Sequence, residues 1–192
     1  VCGDTDNNDQ IDITLSPKEK NKNLFMVFNL NGRKIKELNL SFYHSGARVD
    51  LEDNKIRVIY KKDNNLVLAK IDENFLLKDS LTLNSIDYLG DFVAADIDND
   101  GQTEYVVGSE KNKTGYLAYF GNDGKLKRKF WAYTEVIQSD MQLLAIDFNQ
   151  DKNMDIVSYV PGNRLIVWTS KSKKLFNWVP TTTYDLLFLA KN

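Results

Sequence analysis

The chain has 192 residues, enough for a substantial core, and a formal net charge of -2 with a pI near 5.5, so it offers no general basic surface for nucleic acid. His44 is its one histidine and Cys2 its one cysteine, which excludes a zinc site built from Cys and His and excludes an intrachain disulfide. No apolar stretch is long enough to span a bilayer as a helix, and the start at Val1 without Met reads as a processed or trimmed chain, or a fragment.

In chain order, an acidic loop comes first, at Asp4 to Asp12, and a short apolar run, Ile13 to Leu15, follows it at once. Leu24 to Leu30 and Ile35 to Leu40 read as two further strands, joined by the hairpin pair Asn31-Gly32. The next stretch is degenerate. Asp50, Glu52 and Asn54 begin a similar loop, but it shortens and Arg57 falls where a last carboxylate is due. A guanidinium cannot ligate a cation, so Arg57 either pairs with Asp50 and Glu52 or faces water. Strands are predicted at Ile56 to Tyr60, Leu66 to Ile71 and Leu76 to Leu83, with Glu73-Asn74 at the hairpin position.

The third stretch is the clearest. Phe92 to Ile97 enters an acidic loop at Asp96 to Glu104 and Tyr105 to Val107 leaves it; Tyr116 to Phe120 and Leu126 to Tyr133 follow, joined through Asp123-Gly124. Leu143 to Phe148 enters the last loop, Asp147 to Asp155, and Ile156 to Val160 leaves it; Leu165 to Trp168 and Leu175 to Val179 flank a Ser/Lys turn. Tyr184 to Ala190 resembles the strand that enters each loop. Helical patterning is weak throughout, and the best stretch for it, Lys125 to Ile137, lacks a sustained stripe.

Loop starts at Asp4, Asp50, Asp96 and Asp147 lie 46, 46 and 51 residues apart. Each unit therefore holds about four short strands, the size of a propeller blade. One such sheet cannot bury both faces alone, whereas neighbouring blades stacked radially can. The expectation is a single all-β repeat domain over residues 1–192, with a sandwich of irregular hairpins as the alternative.

The loops share a donor pattern. Oxygen-bearing side chains stand at positions one, three, five and nine: Asp96, Asp98, Asp100 and Glu104; Asp147, Asn149, Asp151 and Asp155; Asp4, Asp6, Asn8 and Asp12. Position seven, Gln102, Asn153 or Gln10, adds a backbone carbonyl. This is a shell for a hard cation that takes about six to eight oxygens, and Ca2+ suits its size and irregularity better than magnesium. Gly101 stands at the sixth position, where a left-handed backbone wraps the loop around an ion. A lone acidic loop is usually a solvated turn, but three copies in one chain argue for a repeated cation site. Position twelve of an EF-hand would need an acidic group, and here it is Leu15, Val107 or Ser158. The apolar run after each loop makes the arrangement strand-loop-strand.

Asp-x-Asp-x-Asp-Gly-x-x-Asp/Glu followed by an apolar strand resembles the calcium loop of FG-GAP or VCBS repeats, as in integrin alpha-subunit-like β-propellers. The resemblance covers the chain as four units and is weakest at Asp50 to Arg57; the Gly-Ala-Pro signature of the repeat is absent. It implies a calcium loop between the first and second strands of each blade. It also implies either part of a larger seven- or eight-bladed ring or a small ring clasped by Tyr184 to Ala190. The function expected from it is a non-catalytic, extracellular or periplasmic module that recognises a protein or glycan through a propeller face. An accessory or partial catalytic domain of a secreted carbohydrate-active enzyme and a purely structural scaffold are the alternatives. The same loop repeated in several blades favours scaffolding over catalysis, since an enzyme needs one special site. No phosphate loop or nucleophile elbow is present. His44 reads as an ordinary loop or core residue, Trp168 as core, and Trp131 and Trp178 as candidate face residues. The sequons at Asn39 and Asn112 leave the compartment open.

Overall fold

The computed structural model describes residues 2–3, 12–15, 24–39, 44–49, 56–63, 65–72, 76–83, 87–111, 114–136, 141–160 and 164–179. Among them every regular element is a strand, and the sixteen strands form four antiparallel sheets of four. The first sheet is β1 (Cys2–Gly3), β2 (Asp12–Leu15), β3 (Leu24–Asn29) and β4 (Lys34–Asn39). The second is β5 (His44–Val49), β6 (Ile56–Lys62), β7 (Asn65–Ile71) and β8 (Leu77–Leu83). The third is β9 (Asp87–Ala95), β10 (Glu104–Lys111), β11 (Thr114–Phe120) and β12 (Leu126–Val136). The fourth is β13 (Gln142–Ile146), β14 (Asp155–Val160), β15 (Arg164–Trp168) and β16 (Lys174–Trp178). Each sheet is a meander in which consecutive strands pair. By contacts the chain divides into two compact units, Val1–Ser85 with the first two sheets and Ile86–Asn192 with the last two.

Burial runs across the sheets as expected for blades. Ile56 to Tyr60, Glu104 to Ser109 and Asp155 to Val160, on second strands, are buried on both faces, and Gly115 to Phe120 on β11 are buried too. The fourth strands of the second and fourth sheets face water: every residue of β16 is exposed, as are most of β8. Lysines on these outer edges, such as Lys34, Lys78 and Lys174, discourage edge-to-edge pairing with another chain. In the second unit one core joins the third and fourth sheets through Val93, Ala95, Val106, Leu117, Phe130, Leu143, Ile156 and Ile166. Phe130 meets Trp168 with ring centroids 6.0 Å apart. The carboxylate of buried Asp91 accepts the Leu143 N–H at 2.7 Å and ties β9 to β13.

The fold differs from the sequence expectation chiefly at β5. Its Ser45-Gly46-Ala47 stretch lacks an alternating apolar pattern, yet it pairs with β6 across a register shift between His44 and Gly46. His44 thus stands in a strand. Trp168 is core at 7% exposure and Trp178 is exposed; Trp131 lies in β12. The segment considered for a helix, Lys125 to Ile137, is mostly β12. Arg57 is buried in β6. Asp4, Asp6, Asn8 and Gln10, the partners Asp50 and Glu52, the pair Glu73-Asn74 and the run Tyr184 to Ala190 lie outside the described residues, as does the side chain of Asp12.

Candidate metal centre

The loop between β9 and β10 is held by its own carboxylates. Asp96 accepts the Asp100 N–H at 3.0 Å on Oδ1 and the Gly101 N–H at 2.9 Å on Oδ2. Asp100 Oδ1 accepts the Gln102 N–H at 2.9 Å. Glu104, fully buried at the start of β10, reaches back to accept the Ile97 N–H at 3.0 Å. The chain turns through two left-handed residues, Asn99 at φ 61° and Gly101 at φ 83°.

The loop between β13 and β14 repeats this frame position by position. Asp147 accepts the Asp151 and Lys152 N–H groups at 3.0 and 2.9 Å. Asp151 accepts the Asn153 N–H at 2.9 Å, and Asp155 Oδ2 accepts the Phe148 N–H at 3.1 Å. Its left-handed residues are Gln150 at φ 62° and Lys152 at φ 71°. Lys152 therefore adopts the conformation that glycine takes in the other loop, at a cost of about 1 kcal/mol for a residue with a Cβ.

In the first of these loops, oxygens of Asp96, Asp98 and Glu104 converge within 4.8 Å of one another. Asp100 spends its oxygens on the turn, and the Gln102 side chain receives a hydrogen bond from the Asn122 amide; the Gln102 carbonyl remains its one donor toward an ion. Burial pushes the Glu104 carboxyl above its ordinary range; the Ile97 N–H pulls it back, Asp98 raises it and Lys127 lowers it. The Tyr119 phenol hydrogen-bonds Glu104 and is pushed up mainly by burial. In the second loop Asn149 replaces the third-position carboxylate and donates to Asp151 Oδ2 at 3.0 Å. Asp155 is fully buried, and its Oδ1 has no hydrogen-bond partner. Burial raises its carboxyl, the Phe148 and Asn149 N–H groups oppose this, and the nearby Asp151 and Asp147 add to it.

These residues fit a calcium ion. All donors are hard oxygens, three carboxylates converge in one loop, and the other holds a buried carboxylate oxygen with an unused lone pair. When bound, the ion would supply positive charge to Asp96, Asp98 and Glu104 in one loop and to Asp147 and Asp155 in the other, where Asp151, like Asp100, is taken up by the turn.

Sequence reasoning missed the hairpin that faces the first loop. Asn122 bonds Gln102, and the Lys127 ammonium lies 3.4 Å from Glu104 Oε1 and 3.8 Å from Asp98 Oδ2. Asp123-Gly124 marked the turn, but nothing in the local pattern aims a lysine of the next strand at an acidic loop more than twenty residues upstream.

No curated protein sequence matches the chain. In structure it is similar to the propeller of Dos1, with TM-score 0.52 and 15% identity over 84% of this chain and 43% of that one. It is also similar to a protein of unknown function from Bacteroides caccae, with TM-score 0.59 and 8% identity over 88% of this chain and 57% of that one. The chain thus spans about half the length of these structures, and the likeness is one of fold. Residues 96–158, which run from Asp96 through both loops into β14, match the family model of the FG-GAP-like repeat. The chain therefore carries an FG-GAP-like repeat on an all-β, propeller-type fold.

Proposed function

We propose that this chain is a calcium-stabilised, non-catalytic propeller module whose blades present a recognition surface for a protein or glycan. The observation that carries the reading is the convergence of Asp96, Asp98 and Glu104 within 4.8 Å on a backbone frame that recurs at residues 147–155. Calcium in each loop neutralises carboxylates that otherwise repel and pins the crossing between the first two strands of a blade. Because such an ion binds the folded loop, its binding energy adds to the stability of the blade. The arrangement suits an extracellular or periplasmic setting, where calcium is abundant enough for sites of modest affinity.

Exposed aromatic groups on the fourth blade supply candidate anchors. Phe148 packs on Phe176 at 6.4 Å, and both are more than two-fifths exposed, with Trp178 close behind at 39%. Rings of this kind stack on sugars or fill a partner's pocket.

The test is thermal melting and calcium titration of the parent chain and of Asp98→Ala. Calcium should raise the parent's Tm, and the variant should lose part of that rise. A parent Tm indifferent to calcium, with crystals grown in calcium holding only water inside residues 96–104, overturns the metal reading. Loss of a captured glycan or protein on Trp178→Ala supports recognition by the fourth blade, and unchanged capture removes that blade from the surface.

A further inference from the structure

Lys127 occupies a constructed position. The hairpins of the first, third and fourth sheets share one irregularity: the pairing of third and fourth strands skips a residue just after the turn. Phe28 pairs Lys34 and Val27 pairs Lys36; Phe120 pairs Leu126 and Tyr119 pairs Arg128; Trp168 pairs Lys174 and Val167 pairs Phe176. The skipped residues are Ile35, Lys127 and Leu175, and such a bulge re-aims its side chain. Lysine thus stands in the third sheet where the other two have aliphatic groups.

The turn is cut to match. Its first residue is Asn29, Asp72 or Thr169 in the other sheets, and in each case the side chain accepts a backbone N–H of the same turn. In the third sheet it is Gly121. A Cβ there would lie 2.9 Å from Lys127 Cε and 3.2 Å from Asp123 Oδ1, so glycine leaves room both for the lysine chain and for the turn carboxylate. The Asp123 side chain takes over the turn and accepts the Lys125 N–H at 2.9 Å. The ammonium ends between Glu104 and Asp98, with the Tyr119 ring centroid 5.6 Å away. The third sheet has Asp98 and Lys127 at these two places and the fourth has Asn149 and Leu175, whereas the first keeps the carboxylate in its sequence, Asp6, with Ile35 at the lysine position.

We infer that Lys127 is a resident cation of the 96–104 loop, which a divalent ion must displace from Asp98 and Glu104, so that this lysine sets how tightly the loop takes calcium. The inference rests on the calcium reading of the loop and adds its regulation. Without calcium the ammonium supplies positive charge to buried Glu104 and to Asp98. With calcium it swings into solvent, which it can do because its side chain is 40% exposed. The competition is intramolecular, so its strength is fixed by the hairpin geometry.

The test compares the parent chain, Lys127→Met and Gly121→Thr by calcium calorimetry and by melting in chelator. The isotherm of this loop is identified in each background as the part that Asp98→Ala removes. Lys127→Met should bind calcium at this loop about tenfold more tightly, as expected when an opposing unit charge a few ångströms away is removed. It should also melt lower than the parent in chelator, since Glu104 loses its counter-charge. Gly121→Thr, which displaces the ammonium and leaves it charged, should shift both readings the same way by less; it also carries the test should Lys127→Met fail to fold. If the parent binds calcium at this loop and both variants bind it equally well, Lys127 is a bystander and the inference falls while the calcium reading stands. Binding at the loop only in the variants would be the strongest support. If no background binds calcium there, the calcium reading falls and the inference with it.

Discussion

The loops at residues 96–104 and 147–155 close on one backbone frame and balance their charge in opposite ways. Both use the first carboxylate to accept two N–H groups, the fifth to accept one, and the ninth to cap the second residue from a buried site. In the first loop the buried carboxylate meets a lysine, and an extra aspartate stands beside it. In the second there is one carboxylate fewer, and the buried Asp155 keeps an unpartnered oxygen. The frame is thus separable from the electrostatics: hydrogen bonds shape the loop, and the charge around the buried ninth-position carboxylate differs between the copies.

The largest effect that can break this comparison comes from deleting the ninth-position carboxylates in chelator. Glu104→Ala should cost about 3 kcal/mol, because it leaves a cavity, an uncapped Ile97 N–H and an unpaired Lys127. Asp155→Ala should cost about half as much, because it also removes a buried charge with an unpartnered oxygen. Denaturant unfolding of the two variants measures the difference. Equal costs would mean that the lysine does not distinguish the loops.

Next in size is the response to calcium. At a concentration of one hundred times Kd the ion adds about 2.7 kcal/mol per site to the folded state. Asp98→Ala should lose most of that increment at the first loop, and Asp98→Asn, which keeps an oxygen, should lose less. Asn149→Asp would give the second loop the missing carboxylate with Leu175, not a lysine, at the bulge of its hairpin. Its calcium affinity should rise above that of the parent loop, as read by calorimetry; no rise would remove charge count as the distinction between the loops.

The sixth position gives a smaller and cleaner contrast. Gly101→Ala places a Cβ at φ 83°, and Lys152→Gly removes one at φ 71°. The first should destabilise and the second stabilise, each by about 1 kcal/mol. Equilibrium melts in chelator check the sign; a destabilising Lys152→Gly would show that the lysine side chain contributes more than its backbone costs.

How far the sequence foretold this molecule follows from the range of each cue. The loops at 96–104 and 147–155 were legible because their donors lie within nine residues, and the strands because short β-branched runs alternate with turn residues such as Asn31-Gly32 and Asp123-Gly124. The left-handed Lys152 was predictable from its alignment with Gly101, since the frame demands the conformation whatever the residue. β5 was only partly legible: His44, Ser45 and Gly46 gain their place by pairing with β6, a tertiary effect that local pattern does not carry. The hairpin half of the site was invisible for the same reason. Lys127 reaches Glu104 only because β11 pairs both with β10 and with β12, and because a bulge and Gly121 redirect one side chain. Charge counting favours 96–104 as the tightest site; the lysine is the term that such counting leaves out.

The smallest expected effect is the pH dependence of the calcium-free chain, and its sign is diagnostic. Burial raises the carboxyls of Glu104 and Asp155 above their ordinary values of 4.5 and 3.8. A carboxyl raised on folding binds its proton more tightly in the native state, so its contribution is fully present below the unfolded value. That contribution is lost as pH rises through the folded one. In chelator these two groups should therefore lower stability as pH climbs from about 4 toward neutrality. Exposed Asp151, whose carboxyl is lowered chiefly by the Asn153 N–H, works weakly in the opposite direction. Asp155→Asn should remove one of the two falling contributions and flatten the profile. Lys127→Met should steepen it slightly, because the ammonium adds to the larger opposition that the Ile97 N–H makes to the rise at Glu104. Calcium should reverse the slope, since the ion requires both carboxylates deprotonated and its binding strengthens as they ionise. Denaturant midpoints measured across this range, with chelator and then with calcium, read all four profiles. A calcium-free profile that Asp155→Asn leaves unchanged would show that the unpartnered oxygen does not affect stability over this range, and would leave Lys127 and the charge count as the electrostatic differences between the two loops.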